Sequence, residues 1–419
     1  MPSARFVLPA HRTSHRATRR ATHRATLAFL GSAAAALGVL APVSPVAVAP
    51  AAADETPYVV SVGDSYISGE AGRWAGSSNA DSDRADALGA GAYLDAGSSE
   101  SIERCHRSSS AEIHIGTAPS LNLACSGAET STSTGDRFKP GLDFYEGSEG
   151  QGQALALQEF ASTHDVGMVV VSIGGNDVGF ADVVQTCVLD FLYSPGWAKD
   201  YCHDDNSVEQ AFSASHLAQV RADVAAGLTN IATAMRTAGY SDDEWTLLLQ
   251  TYPSPIPRAG GFRYSQSGYT RQDTGGCGFW NADADWANDT ALPAINSTVL
   301  GGLADSGLTN TAVLDLAHTF DGRRLCESGV GLYEEVGLAS WTSPGAVDRT
   351  EWVNQIRTVS TIGSSSPYYV QESLHPNYWG QLAVRSCVRQ AWNGGTPVGG
   401  TCTRTGTGLT AGEPVMALR

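Results

Sequence analysis

The first 53 residues contain no aspartate or glutamate, yet they carry six arginines, Arg5, Arg12, Arg16, Arg19, Arg20 and Arg24. Nowhere does the chain hold the ~20 consecutive apolar residues that a membrane-spanning helix needs. The best candidate, "TLAFLGSAAAALGVLAPVSPVAVAPAAA", is interrupted by glycine and proline and ends on small residues. A basic stretch, an apolar stretch and an Ala-x-Ala-like end predict an export signal over residues 1–53, removed near Ala53; an N-terminal anchor is the alternative. No integral membrane segment is expected. No C-x2-C pair or clustered His/Cys spacing marks a zinc site. No internal repeat and no linker divides the chain, so one domain is expected over 54–402, followed by a tail, 403–419.

Positive charge is scarce in what remains. Without the six arginines the formal charge falls from −17 to −23. Such a chain repels nucleic acid and anionic bilayers, and neither is expected as a partner. Eight cysteines, all beyond the signal, imply disulfides in an oxidising compartment. They allow 105 pairings; sequence order gives the simplest, Cys105–Cys125, Cys187–Cys202, Cys277–Cys326 and Cys387–Cys402.

Four apolar runs, "YVVSV", "VGMVVVSIG", "WTLLLQTYP" and "TAVLDL", have the unbroken hydrophobicity of parallel strands buried on both faces. Helical patterns alternate with them at 151–163, at 215–239, from 284 onward and at 376–392. Strand and helix alternating over more than 300 residues predict a three-layer α/β/α sandwich around a mostly parallel sheet. Residues 71–150 and 253–283 read as long loops stapled by cysteine, lying over the carboxyl ends of the strands where such folds bind ligands. In the second loop Phe262, Tyr264, Tyr269, Phe279 and Trp280 either wall an acyl pocket or pack the loop.

The first strand runs into Gly63-Asp64-Ser65, and the serine needs a reason. A hydroxyl becomes a nucleophile only when a base takes its proton. Seven histidines follow the signal; His106, His114, His164, His203, His216 and His318 read as surface or capping residues. His375, in "QESLHPNYWGQ", precedes a proline that starts a helix, and Glu372 lies three residues before it, placed to hold the ring. Attack on a carbonyl also needs oxyanion donors. Asn176, in "SIGGNDVGF", ends a strand at the same sheet edge, and Gly127, in "NLACSGAET", offers a bare backbone N–H. Asp64 and Asp177 read as structural residues that bond nearby backbone N–H groups. Asn79, Asp81 and Asp83 are spaced as in a calcium loop, but Arg84 and Ala90 stand where glycine and glutamate are required, so no metal is expected.

Taken in order, Gly-Asp-Ser, the glycine turn, Gly-x-Asn-Asp and acid-x-x-His-Pro resemble the SGNH, or GDSL-type, hydrolases over residues 57 to 393. With "ACSGA", "GGNDVGF" and the cysteine load, the sequence looks most like the secreted actinobacterial branch of lipases, phospholipases and esterases. The resemblance implies Ser65 as nucleophile and first oxyanion donor, Gly127 and Asn176 as the other donors, and His375 as base. It implies no cofactor and no metal. The usual aspartate is here Glu372, so a Ser65–His375–Glu372 triad is expected, with a Ser-His dyad oriented by a main-chain carbonyl as the alternative. The implied protein is a secreted, monomeric esterase acting on lipid esters. The alternatives are a polysaccharide or plant-polymer acyl esterase and a non-catalytic surface- or carbohydrate-binding protein on the same scaffold.

Overall fold

The computed structural model describes residues 56–135, 137–358 and 366–419; the expected export signal, residues 1–53, lies outside the described residues. Among the described residues nine strands form in the order β1 (Tyr58–Gly63), β2 (Ser120–Asn122), β3 (Glu146–Gly147), β4 (Gly150–Gln151), β5 (Val166–Ser172), β6 (Thr246–Gln250), β7 (Thr311–Asp315), β8 (Gly400–Thr410) and β9 (Glu413–Leu418). Strands β3 and β4 make a small separate hairpin, and the other seven form one sheet in the order β2-β1-β5-β6-β7-β8-β9. Neighbours are parallel from β2 to β8, for example Val60 beside Val169 and Val169 beside Leu247, and only β8 and β9 are antiparallel.

The β-branched runs form strands because both of their faces are covered, and the alternation of side chains sorts them into two cores. Val60, Val62, Val169, Val171, Leu247 and Leu249 point to one face. There they meet Leu157 of helix α2 (Gln153–Ala161), Val224, Leu228 and Ile231 of the Ala214–Thr237 helix, and Val299 of the Leu292–Ser306 helix. Val59, Met168, Val170, Leu248 and Leu314 point to the other face, against Leu382, Val388 and Trp392 of the Tyr378–Trp392 helix. Two helical layers on a mostly parallel sheet make the three-layer α/β/α sandwich.

Two features depart from the sequence reading, and a third decides between alternatives it left open. Residues 403–419 are no tail: they lie in β8 and β9 and complete the sheet edge, with Cys402 opposite Leu418. The short strand β2, and helix α4 (Phe180–Tyr193), were not anticipated. In the 253–283 loop, Phe279 and Trp280 are buried core residues, and Phe262 and Tyr264 pack against the same core, so those rings hold the loop in place.

The four disulfides pair in sequence order. Cys277–Cys326 closes the longest loop, a separation of 49 residues, against 15 for Cys187–Cys202. By chain entropy these bonds contribute about 4 and about 3 kcal/mol respectively. Replacing Cys277 and Cys326 by alanine is therefore expected to lower stability to chemical denaturation by about 1 kcal/mol more than the same change at Cys187 and Cys202. The opposite order would show that native packing at the bridges outweighs the loop term.

Candidate active site

The sheet brings β1, β5 and β6 to a common carboxyl edge, where an open α/β sheet places its ligand crevice. Strand β1 ends at Gly63, whose φ is +134° and whose absent Cβ would stand 1.9 Å from the carbonyl oxygen of Ser172 on β5. Only glycine lets the two strands meet there. The last peptide of β1 is clamped by Gln153 on α2: its Oε1 accepts from the Gly63 N–H at 2.6 Å and its Nε2 donates to the Gly63 carbonyl at 2.9 Å. The chain then turns into helix α1 (Ser65–Ser68), capped by Asp64, whose Oδ1 accepts from the Tyr66 N–H at 3.0 Å. Ser65 is thereby held at the first position of a short helix.

Asn176 follows β5 by the same logic. Gly174, in the left-handed region, starts helix α3 (Gly175–Val178), which carries Asn176 and Asp177. The two side chains stitch this helix to the glycine turn. Asn176 Nδ2 donates to the Ala128 carbonyl at 2.8 Å, and Asp177 Oδ1 accepts from the Thr130 N–H and hydroxyl at 3.0 and 2.5 Å. Tyr252, just beyond β6, joins the two turns: its hydroxyl donates to Asp64 and accepts from the Gly175 N–H at 2.9 Å. Burial pushes the Asp64 carboxyl up to about 7, against the pull of the Tyr252 bond. Asp64 and Asp177 are the structural residues expected; Tyr252 and Gln153 carried no sequence signal beyond lying near strand ends.

His375 Nε2 lies 2.7 Å from Ser65 Oγ. Its Nδ1 lies 2.8 Å from the Ser373 carbonyl oxygen, which can only accept, so Nδ1 carries the proton and Nε2 faces Ser65 as the acceptor. The contact is made by a left-handed turn at Leu374, φ +61°, an uncommon conformation for a non-glycine residue. Tyr66 Oη donates to the Leu374 carbonyl at 3.1 Å, and the Leu374 N–H donates to the Asn354 carbonyl at 3.2 Å, which fixes that turn. Burial lowers the affinity of the His375 imidazole for its proton below the ordinary histidine range, opposed by the charge of Glu70 and by the Ser373 carbonyl.

The hydrogen-bond partner of His375 Nδ1 is the Ser373 carbonyl and not Glu372, the geometry of the main-chain alternative rather than that of the expected Ser-His-Glu triad. The Glu372 carboxylate sits on a short 3-10 turn, Val370–Glu372, and is buried. It accepts from Trp74 Nε1 at 2.8 Å, Tyr93 Oη at 2.5 Å and the Tyr369 N–H at 3.0 Å. Burial, with Glu70 nearby, raises its carboxyl to about 7. Its work is to anchor the histidine loop to the 71–95 segment. Glu372→Gln keeps the shape and the neutral state and is expected to reduce kcat by less than about tenfold below pH 7. In a carboxylate triad the matching amide change costs about 10⁴, so a loss of that size in steady-state kinetics would restore Glu372 as the ring's partner.

Ser65, Gly127, Asn176 and His375 line one cavity of about 1340 Å³. Its apolar wall is Phe180, Val184 and Val188 of α4, with Leu189, Leu292 and Ile295. Residues 180, 184 and 188 recur at the spacing of one helix face, a pattern that could have been read in "FADVVQTCV". Of the two readings of the aromatic loop, packing is the one found: Phe262, Tyr264, Tyr269, Phe279 and Trp280 do not line this cavity. Among the described residues no cluster of His, Cys, Asp and Glu is arranged to hold a metal ion.

No family model matches this chain. A 145-residue stretch, 33% of the chain, is 34% identical to Lipase 1 of Streptomyces coelicolor, and it spans 37% of that protein's length. In backbone shape the chain overlaps the extracellular lipase from Streptomyces rimosus, with TM-score 0.39 and 21% identity over 78% of this chain and 94% of that one. An active-site mutant of a family two carbohydrate esterase from Clostridium thermocellum gives TM-score 0.33 and 11% identity over 81% and 64% of the two chains.

One histidine read as a surface residue lies deep inside. His106 is 2% exposed and its Nδ1 is 2.7 Å from Oε1 of the fully buried Glu70. Burial works against charge on both, but their mutual bond overcomes it: the His106 imidazole is raised and the Glu70 carboxyl lowered. Glu70 stands five residues after Ser65, where a fully buried carboxylate has no signature in sequence.

Proposed function

We propose that this protein is a serine ester hydrolase of the SGNH type that cleaves carboxylic esters through an acyl-enzyme on Ser65. The observation that carries the reading is the 2.7 Å approach of His375 Nε2 to Ser65 Oγ at the wall of a largely apolar cavity. Ser65 Oγ attacks the ester carbonyl as Nε2 takes its proton. The oxyanion is held by the N–H groups of Ser65 and Gly127 and by the Asn176 amide, whose second hydrogen remains to it after the Ala128 bond. His375 then protonates the leaving alcohol, and water repeats the sequence to release the acid. Because the base must be neutral, kcat/KM falls as pH drops through the His375 titration, below the ordinary histidine range.

Lipid esters are the proposed substrates. The apolar α4 wall suits an acyl chain, and the similarity to Lipase 1 favours the same class. Four disulfides favour an oxidising compartment, so the protein acts outside the cell. The test is a side-by-side rate measurement on a short-chain soluble ester, phosphatidylcholine, triglyceride, lysophospholipid and an acetylated sugar. Hydrolysis of the soluble ester together with a long-chain lipid is expected. Preference for the acetylated sugar would move the protein to the acyl esterases of polysaccharides, and no hydrolysis at all would leave a binding protein.

A further inference from the structure

A dyad leaves one electrostatic task undone. When His375 takes the Ser65 proton it becomes an imidazolium, and the Ser373 carbonyl on its Nδ1 offers a partial charge where a triad offers a whole one. Glu372, the carboxylate nearest in sequence, is occupied by Trp74, Tyr93 and Tyr369.

Glu70 is placed to fill that gap. It is 0% exposed, and its N–H donates to the Ser65 carbonyl at 3.3 Å, so it belongs to the same turn as the serine. Its Oε2 accepts from Gln371 Nε2 at 3.0 Å, on the loop that carries His375. The same nitrogen reaches Ser126 Oγ at 2.7 Å and the Arg104 carbonyl at 3.1 Å, beside the Gly127 turn. Glu70 is thus tied to all three parts of the site, to the Ser65 turn by its backbone and to the others through its carboxylate and Gln371, and its charge favours the protonated His375 ring. On its far side it meets His106, whose Nε2 lies 3.5 Å from Glu100.

We propose that Glu70 is a positioning residue that supplies, through space, the negative charge a triad carboxylate would give to His375, and that His106 sets how much of that charge the ring feels. The proposal rests on the reading of His375 as the base. Glu100, Glu372, Tyr93 and Lys139 are the other titratable groups that act on this cluster. Glu372, raised to about 7, remains protonated across the acidic limb of the His375 titration and does not confuse it.

Two substitutions should lower that limb by different routes, and a third should restore it. Glu70→Gln removes a negative charge, so the imidazolium is less stable and the midpoint of the kcat/KM profile falls by about one pH unit. With it kcat should drop about tenfold at unchanged KM, because the charge acts in the transition state. His106→Gln removes the partner that keeps the buried Glu70 carboxylate ionised, so Glu70 takes up a proton on the acidic limb and the midpoint falls as well. Glu70→Asp keeps the charge and should return the midpoint towards that of the wild type. The measurement is the pH dependence of hydrolysis of a soluble short-chain ester by the intact protein. A merely structural role would depress activity without moving the midpoint, and midpoints that stay put in both glutamine variants would overturn the proposal. If Glu70→Gln does not fold, His106→Gln decides alone: a fall supports the inference and no fall overturns it. A wild type inactive on the soluble ester would instead defeat the esterase reading itself.

Discussion

Ser65→Ala is expected to reduce kcat for ester hydrolysis by about 10⁴–10⁶, the range seen when a serine hydrolase loses its nucleophile. Folding should be nearly untouched. The turn around Ser65 is fixed by Gly63 against Ser172, by the Asp64 cap on Tyr66 and by the Tyr252 bond to Asp64. None of these uses the Ser65 hydroxyl, which approaches His375 at 2.7 Å. Alanine in a short helix costs nothing in propensity. The residual rate would come from whatever the oxyanion donors contribute alone. Steady-state kinetics, with a thermal melt as the folding control, and labelling of the wild type by a serine-directed organophosphorus reagent give independent readings. Appreciable activity in the variant, or a label mapped to another residue, would move the nucleophile elsewhere.

The serine and its histidine were legible because each sits where local chemistry leaves a mark: a Gly-Asp-Ser at a strand end, a His-Pro at a helix start. The central strands were legible for a related reason. Burial on both faces makes β5 and β6 read as unbroken apolar runs, "MVVV" and "LLL". β8 gives no such signal. Its sequence "GTCTRTGTGLT" is an edge-side strand half open to solvent, held by pairing with β9 and by the Cys387–Cys402 bond. Glu372 shows a harder limit. Spacing placed a carboxylate three residues from the histidine, but the left-handed turn at Leu374 intervenes. The partners that claim Glu372, Trp74 and Tyr93, lie 298 and 279 residues away in sequence. Glu70 and His106 are invisible for the same reason, since their meaning comes from burial and from each other.

Asn176→Ala carries the second large expectation, a fall in kcat of about 10²–10³ with little change in KM, as when one preorganised oxyanion donor is lost. The structure adds a complication that the sequence did not hold. Nδ2 of Asn176 already donates to the Ala128 carbonyl, so the amide both aims at the cavity and pins the glycine turn. Removing it leaves that carbonyl without its partner, at a cost of about 1–3 kcal/mol if water does not replace the bond. It also frees one side of the turn that presents the Gly127 N–H. Asp177 keeps the other side through Thr130, so the turn should hold its place. Comparing Asn176→Ala with Asn176→Asp separates the two contributions. Neither side chain can donate to the Ala128 carbonyl, so both variants lose the brace, but the carboxylate also repels an oxyanion, and its kcat should fall further than that of alanine. Equal losses in the two variants would leave Asn176 as a brace for the glycine turn, with the oxyanion resting on backbone N–H groups alone.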